Sequence, residues 1–346
     1  MGKPDVSVKG WLRDPKRFAD LFNGILFDGK QLIIWEKLVE VNSESSFIVV
    51  DKNKKSRAVE KYRDIIMRWD DSLYLVLLAV EIQDEVHYAM PVRKMLYDAL
   101  TYTDQMRELW QKLPQDSPEK KIGSPEFFSR FRKDDRISPV ITVVFYYGDD
   151  WDGNMDLYDM FGFRDNIVPE ENMETLKKYI SNYKINVFNP VNIDNFKIFK
   201  TDLQLIFGML KYKGDKEKLL KYTRDNDDYF SRVDYEAAQA IKAMLGTGDF
   251  MKDKLESKEE GNNVCKALQD LYAEGKAEGK AEGLAEGLAE GLAEGLAEGK
   301  AEGLVEGLLK GRILTFCEFG LSPEDIAQKV NQPVEYVNEI LGLQSV

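Results

Sequence analysis

The chain has 346 residues, enough for two ordinary domains, and 43% hydrophobic with 11% aromatic residues supports a sizeable core. Its 48 basic against 61 acidic residues leave a formal charge of −13, which is not the usual signature of a nucleic-acid binder. The single histidine, His87, argues against a zinc cluster or a Ser-His-Asp triad, and two cysteines without metal-ligand spacing point to a reducing compartment. With neither a signal peptide nor a run of about 18 apolar residues, the expected protein is cytoplasmic and makes no use of a membrane.

Residues 1–13 read as a short lead. Asp14 or Ser7 starts a helix through Phe18, Leu21, Phe22, Ile25 and Leu26, whose spacing of three and four makes one apolar face, and Asp28-Gly29 ends it. Phe47–Val50 reads as a strand and Asp51–Lys55 as a polar turn. Lys52–Arg68 holds seven basic and two acidic residues, including Lys54, Lys55 and Arg57. This is either a solvated hairpin face or a surface for phosphates.

Leu73–Val80 is eight apolar or aromatic residues in a row, the pattern of a strand buried on both faces. It breaks into Glu81-Ile82-Gln83. A carboxylate at the end of a buried strand needs a partner, and a metal ion is one such partner. The preceding segment, Val59–Trp69, alternates loosely and holds Asp64. With Asp71-Ser72 as a two-residue hairpin loop, Asp70 faces Leu73 and Asp64 faces Ala79. Ala79, Glu81 and Gln83 share one face. Asp64 and Glu81 then become diagonal neighbours, roughly 7–8 Å apart at the backbone, with room for one divalent ion. A slip of one residue puts them on opposite faces.

Met90–Leu109 reads as a helix with Pro91 in its first turn and Met95, Ala99, Tyr102 and Met106 near one face. Arg93 and Tyr97, four apart, also share a face. A loop with a short helix near Phe127–Phe131 leads to Val140–Tyr147, a β-branched and aromatic strand reached by a crossover. Asp149, Asp150 and Asp152 lack the spacing of a calcium loop and read as a turn. Asn186–Pro190 reads as one more strand. After about Val191 the chain turns helical, with amphipathic stretches at Phe196–Tyr212 and Tyr235–Leu245.

Ala273–Leu304 is eight successive Ala-Glu-Gly-Lys/Leu tetrads. Each Gly costs about 1 kcal/mol in a helix relative to Ala. A four-residue period advances each side-chain column by about 40° per repeat, so only a right-handed wrap keeps one column facing a partner. A frayed helical spacer, a self-associating helix and a flexible linker all fit. In the tail, Ser322 caps a helix with Pro323 at its first position, and Asn331-Gln-Pro333 separates it from a second helix. This resembles a helix-turn-helix, yet the second helix carries Glu335 and Glu339 and no Lys or Arg, which favours a plain helical hairpin.

An Asp on one strand followed by Glu-x-Lys on the next is the signature of the PD-(D/E)XK nuclease fold, and Asp64 with Glu81-Ile82-Gln83 resembles it, with Gln in place of Lys. Several further segments make the chain similar over about 1–310 to the recombination-promoting nuclease (Rpn) family, also described as PD-(D/E)XK nuclease family transposases. They are Phe18-Ala-Asp-Leu-Phe-Asn-Gly24, Tyr62-Arg-Asp64, His87-Tyr-Ala-Met-Pro-Val-Arg93, Tyr97-Asp-Ala-Leu, Pro139–Tyr147 and the Ala-Glu-Gly repeats.

The resemblance implies an α/β restriction-endonuclease-like core over 1–190, a mixed central sheet flanked by helices. A helical subdomain over 191–272, the repeat over 273–312 and the small tail over 313–346 follow. It implies a Mg²⁺-dependent (or Mn²⁺-dependent) DNA endonuclease that promotes recombination or transposition-like events. Asp64, Glu81 and the Ile82 backbone carbonyl would hold the metal, and Gln83 would orient water or a phosphate oxygen. Asp20 on the first helix is either a further ligand or a surface carboxylate. Arg93 either holds a phosphate or Glu81, or makes a structural salt bridge, and Tyr97 lies beside it. DNA and a second copy joined through the repeat are the expected partners. The rival reading is a catalytically degenerate nuclease-fold binding module.

Overall fold

The apolar run read as a two-sided strand becomes the middle of a five-stranded sheet in the computed structural model, which describes residues 3–41, 44–50, 56–70, 75–112, 124–162, 170–247, 251, 254–259 and 261–342, with backbone alone at 3–5, 44–50, 56–62, 75, 124 and 170–171. Helices α1 (Lys3–Leu12) and α2 (Pro15–Phe27) lead into strands β1 (Leu38–Glu40), β2 (Glu44–Val50), β3 (Ser56–Tyr62), β4 (Ile65–Asp70) and β5 (Leu75–Gln83). Then follow α3 (Met90–Gln111), α4 (Ser124–Ser129), β6 (Val140–Tyr146), α5 (Leu157–Met160), α6 (Glu170–Lys177) and β7 (Asn186–Phe188). Helices α7 (Leu203–Leu210), α8 (Lys216–Asp225), α9 (Asp227–Phe230), α10 (Tyr235–Met244), α11 (Val264–Glu318), α12 (Pro323–Val330) and α13 (Val334–Leu341) come last.

The sheet order is β1-β4-β5-β6-β7, antiparallel from β1 to β5 and parallel from β5 to β7. A parallel step needs a crossover, and α3 supplies it between β5 and β6. Strands β2 and β3 form a separate antiparallel ribbon. One sheet face carries Ile66, Leu77, Ala79 and Val140, packed by Tyr102 of α3. The opposite face carries Phe145, whose ring centroid lies 6.0 Å from Phe188 and 5.6 Å from Phe207 of α7, while Trp11 of α1 lies 6.2 Å from Phe207. Helices on both faces of a mixed sheet make this an α/β fold. Among the described residues no helix is long and apolar enough to cross a membrane.

Several local expectations are met. Asp14 caps α2, accepting from the backbone N–H of Lys16 and Arg17 at 3.0 Å, and Asp28 closes it in a left-handed conformation with φ 52°. Other expectations are corrected. The 1–13 lead is helix α1, with Val8, Trp11 and Leu12 fully buried. Pro4 and Gly10 hide it in the sequence. The segment Val59–Trp69 is not one strand: it divides at Arg63-Asp64, and its halves join different sheets. The connection after Asp70 is not a two-residue loop at Asp71-Ser72. Asp70 pairs with Leu75, and residues 71–74 lie outside the described residues. Asp70 therefore does not face Leu73. The amphipathic stretch from Phe196 becomes a 3-10 turn at Phe196–Ile198 followed by α7 from Leu203.

The chain divides into two compact units, Met1–Leu271 and Tyr272–Val346. Helix α11 begins in the first and continues through the repeat, where the described leucines Leu284, Leu288, Leu292 and Leu296 are exposed. In the second unit the end of α11 contributes Ile313 to a small core with Ile326, Ala327, Val330 and Val337. Ser322 caps α12 as expected, its hydroxyl accepting from the Asp325 N–H at 3.3 Å, and Asn331 ends it at φ 55°.

Candidate functional site

Strand β4 runs antiparallel to β5 in a register that pairs Ile65 with Val80 and Ile66 with Ala79. Carried back one residue, that register sets Asp64 opposite Glu81, and not opposite Ala79. The expected register is offset by two residues, and an even offset keeps both carboxylates on one face while bringing them closer. The Asp64 carboxylate is fixed there because its Oδ2 accepts the Ile82 N–H at 2.8 Å. In an extended residue the N–H and C=O point to the same side, so the Ile82 carbonyl also faces the β4 side.

Glu81 is fully buried, and its Oε1 has no hydrogen-bond partner among the described residues. Among the described residues its Oε2 receives only a long contact of 3.4 Å from Nη2 of Arg93. Burial, and then the neighbouring Asp64 charge, push the Glu81 carboxyl up to about 8, against the pull of Arg93 and Arg63. The two arginines do not offset the burial of this acid and the charge of its neighbour. Two adjacent acids, a carbonyl on the same side and an orphaned buried oxygen form an all-oxygen donor set of the kind that suits a hard divalent cation such as Mg²⁺. Among the described residues there is no group of three or more His, Cys, Asp or Glu placed to hold a metal, so such a site consists of two carboxylates and backbone.

Gln83 is half-buried at the end of β5, and its Nε2 donates to the Ile82 carbonyl at 2.7 Å. Arg93 stands in the first turns of α3, with its guanidinium carbon 5.4 Å from the Tyr97 ring centroid. The two share a face, as their spacing requires. Burial raises the Tyr97 phenol, with Arg93 opposing and Glu81 adding to the rise. Burial and then the Arg93 charge hold the His87 imidazole below its ordinary range.

Asp20 is buried on α2 and spends its carboxylate on the chain entering α7. It accepts from the N–H of Lys200 at 2.8 and 2.9 Å, and from the N–H and hydroxyl of Thr201, both at 2.7 Å. Arg57 lies on β3 opposite Val49 in the separate ribbon, and Lys54 and Lys55 fall outside the described residues.

The sequence reading missed a buried polar cluster around Asp98 of α3. Arg63, next to Asp64, donates to Asp98 and, at 2.9 Å, to the Thr142 hydroxyl of β6. Lys94 donates to Asp98 at 2.9 Å, Thr142 donates at 2.8 Å, and the Tyr183 hydroxyl donates as well. Burial alone would raise the Asp98 carboxyl, yet the Arg63 charge, the Tyr183 and Arg63 hydrogen bonds and the Lys94 charge together hold it below the usual range. The cluster ties the β3–β4 junction to α3 and β6 beside the two acids. Only the Lys94–Asp98 spacing of four had a sequence signal. It also decides which face of α3 is buried: Met90, Pro91, Lys94, Tyr97 and Asp98, while Met95 and Ala99 face outward.

The chain matches no protein-family model, no curated protein and no solved structure.

Proposed function

We propose that the protein is a divalent-cation-dependent DNA endonuclease of PD-(D/E)XK type. The observation that carries this reading is the Asp64 carboxylate held by the Ile82 N–H beside Glu81, whose buried Oε1 has no partner among the described residues. Asp64, Glu81 and the Ile82 carbonyl would hold Mg²⁺ or Mn²⁺. A cation bound there supplies Lewis acidity, neutralising a phosphate oxygen and easing deprotonation of an attacking water. The protein's own part is placement. Asp64 is fixed by the Ile82 N–H, Glu81 by its buried strand position, and Arg93 by the Tyr97 ring. The motifs shared with the recombination-promoting nucleases support DNA as substrate and strand breakage that promotes recombination as the outcome.

One observation favours a degenerate binding module instead. The Gln83 amide, where the wider fold has Lys, is spent on the Ile82 carbonyl itself. Gln brings no positive charge, so it can orient but cannot neutralise. In that reading the exposed leucine ladder of α11 serves self-association.

Nicking of supercoiled plasmid with Mg²⁺ separates the two readings. Wild-type nicking that is lost in both Asp64→Ala and Glu81→Ala is expected. Equal activity in all three proteins, or none in any with either Mg²⁺ or Mn²⁺, would refute the nuclease reading.

A further inference from the structure

We propose that Arg93 is a metal-gated phosphodiester ligand: it contacts Glu81 before the cation binds and passes to a phosphate oxygen once the cation has taken Glu81. This rests on the nuclease reading and adds to it an order of binding and a residue that couples the two ligands.

Three acids, Asp64, Glu81 and Asp98, and three cations, Arg63, Lys94 and Arg93, share this corner of the fold. Their formal charges balance. Arg63 and Lys94 are both bound to Asp98, and their side chains are only 5% and 9% exposed. Neither is free to meet a ligand arriving from solvent. Arg93 differs in each respect. Its side chain is 27% exposed, and its contact with Glu81 is long at 3.4 Å. The Tyr97 ring lies 5.4 Å from its guanidinium carbon and gives the side chain a shelf on which the fork can turn.

A divalent cation at Asp64 and Glu81 competes with Arg93 for the same buried carboxylate, so binding of one loosens the other. It also turns a balanced cluster into one carrying two excess positive charges. A phosphodiester oxygen beside the cation offers the displaced guanidinium an acceptor suited to its planar fork. Glu81 and the phosphate thus become alternative partners of one residue. By linkage, cation and DNA must then raise each other's affinity, and Arg93 must carry much of that coupling.

The test measures binding, with Ca²⁺ in place of Mg²⁺ to suppress turnover. Ca²⁺ affinity is measured by calorimetry. Affinity for a short labelled DNA duplex is measured by anisotropy with and without Ca²⁺. In wild type, Ca²⁺ is expected to raise DNA affinity about tenfold, within the usual range of coupling between sites. Arg93→Gln is expected to bind Ca²⁺ at least as tightly as wild type while gaining less than about threefold in DNA affinity. Arg93→Lys should fall between, because it keeps the charge and loses the fork. Melting curves of both variants establish that they fold, and Arg93→Lys carries the test if Arg93→Gln does not. A full tenfold gain in Arg93→Gln overturns the exchange and leaves the nuclease reading standing. Loss of Ca²⁺ binding in Arg93→Gln makes Arg93 a support of the metal site and also overturns the exchange. A wild-type protein that binds no Ca²⁺ removes the nuclease reading and the proposal together.

Discussion

Replacing Glu81 with glutamine removes a buried acid whose charged form the metal-free protein disfavours. The carboxyl is pushed from its ordinary value near 4.5 to about 8, first by burial and second by Asp64. Between those values the folded state keeps a proton that the unfolded chain releases. The folded state then binds more protons than the unfolded state, so stability falls as pH rises. It is undiminished by this group below about pH 4.5 and has lost the full amount above about pH 8. At about 1.4 kcal/mol per pH unit, the loss is about 5 kcal/mol across the window and about 3 kcal/mol by pH 7. Glu81→Gln cannot release a proton and should lack this slope. All five tryptophans, Trp11, Trp35, Trp69, Trp110 and Trp151, precede residue 272, so tryptophan fluorescence follows the first unit alone. Urea unfolding in EDTA at pH 5, 6, 7, 8 and 9 should show wild type losing ground steadily to Glu81→Gln, and added Mg²⁺ should restore wild type only. Parallel stability curves for the two proteins would refute the assignment of an uncompensated acid at this position.

Asp98→Asn leaves Arg63 and Lys94 buried without their carboxylate and should destabilise the fold by about 3–5 kcal/mol. Because Asp98 is held below the usual carboxylate range, its stabilising part is present above that range and fades as pH falls. The wild-type advantage in urea midpoints should therefore narrow in acid. Gly24→Ala directs a Cβ to within 2.2 Å of the fully buried Phe199 ring and should cost about 1–3 kcal/mol, seen as a lower Tm; an unchanged Tm would contradict the packing. In α11 an added Cβ at Gly287 or Gly291 meets nothing within 4 Å, so Gly287→Ala with Gly291→Ala should raise helix stability by about 1 kcal/mol each. Circular dichroism melting would register this as a higher midpoint for the helical signal.

The features legible in the sequence are those that depend on neighbours close along the chain. The Asp14 and Ser322 caps, the Pro91 start of α3, the β-branched run of β6 and the sharing of a face by Arg93 and Tyr97 all follow from spacings of one to four residues. Glu81 was legible for a similar reason: a carboxylate ending a two-sided apolar strand stands out from its surroundings.

Tertiary structure decided the rest. Alternation fixes which face a strand residue occupies but not how many residues the connection holds, so parity was readable and the true register, with Ile65 opposite Val80, was not. Asp20 sits on an apolar-patterned helix in the sequence, yet its four acceptor contacts are to residues 180 and 181 positions away. Which face of α3 is buried depends on Arg63, Thr142 and Tyr183, which meet Asp98 from separations of 35, 44 and 85 residues. No local spacing encodes such meetings. They exist because a buried charge must find partners wherever the folded chain can supply them.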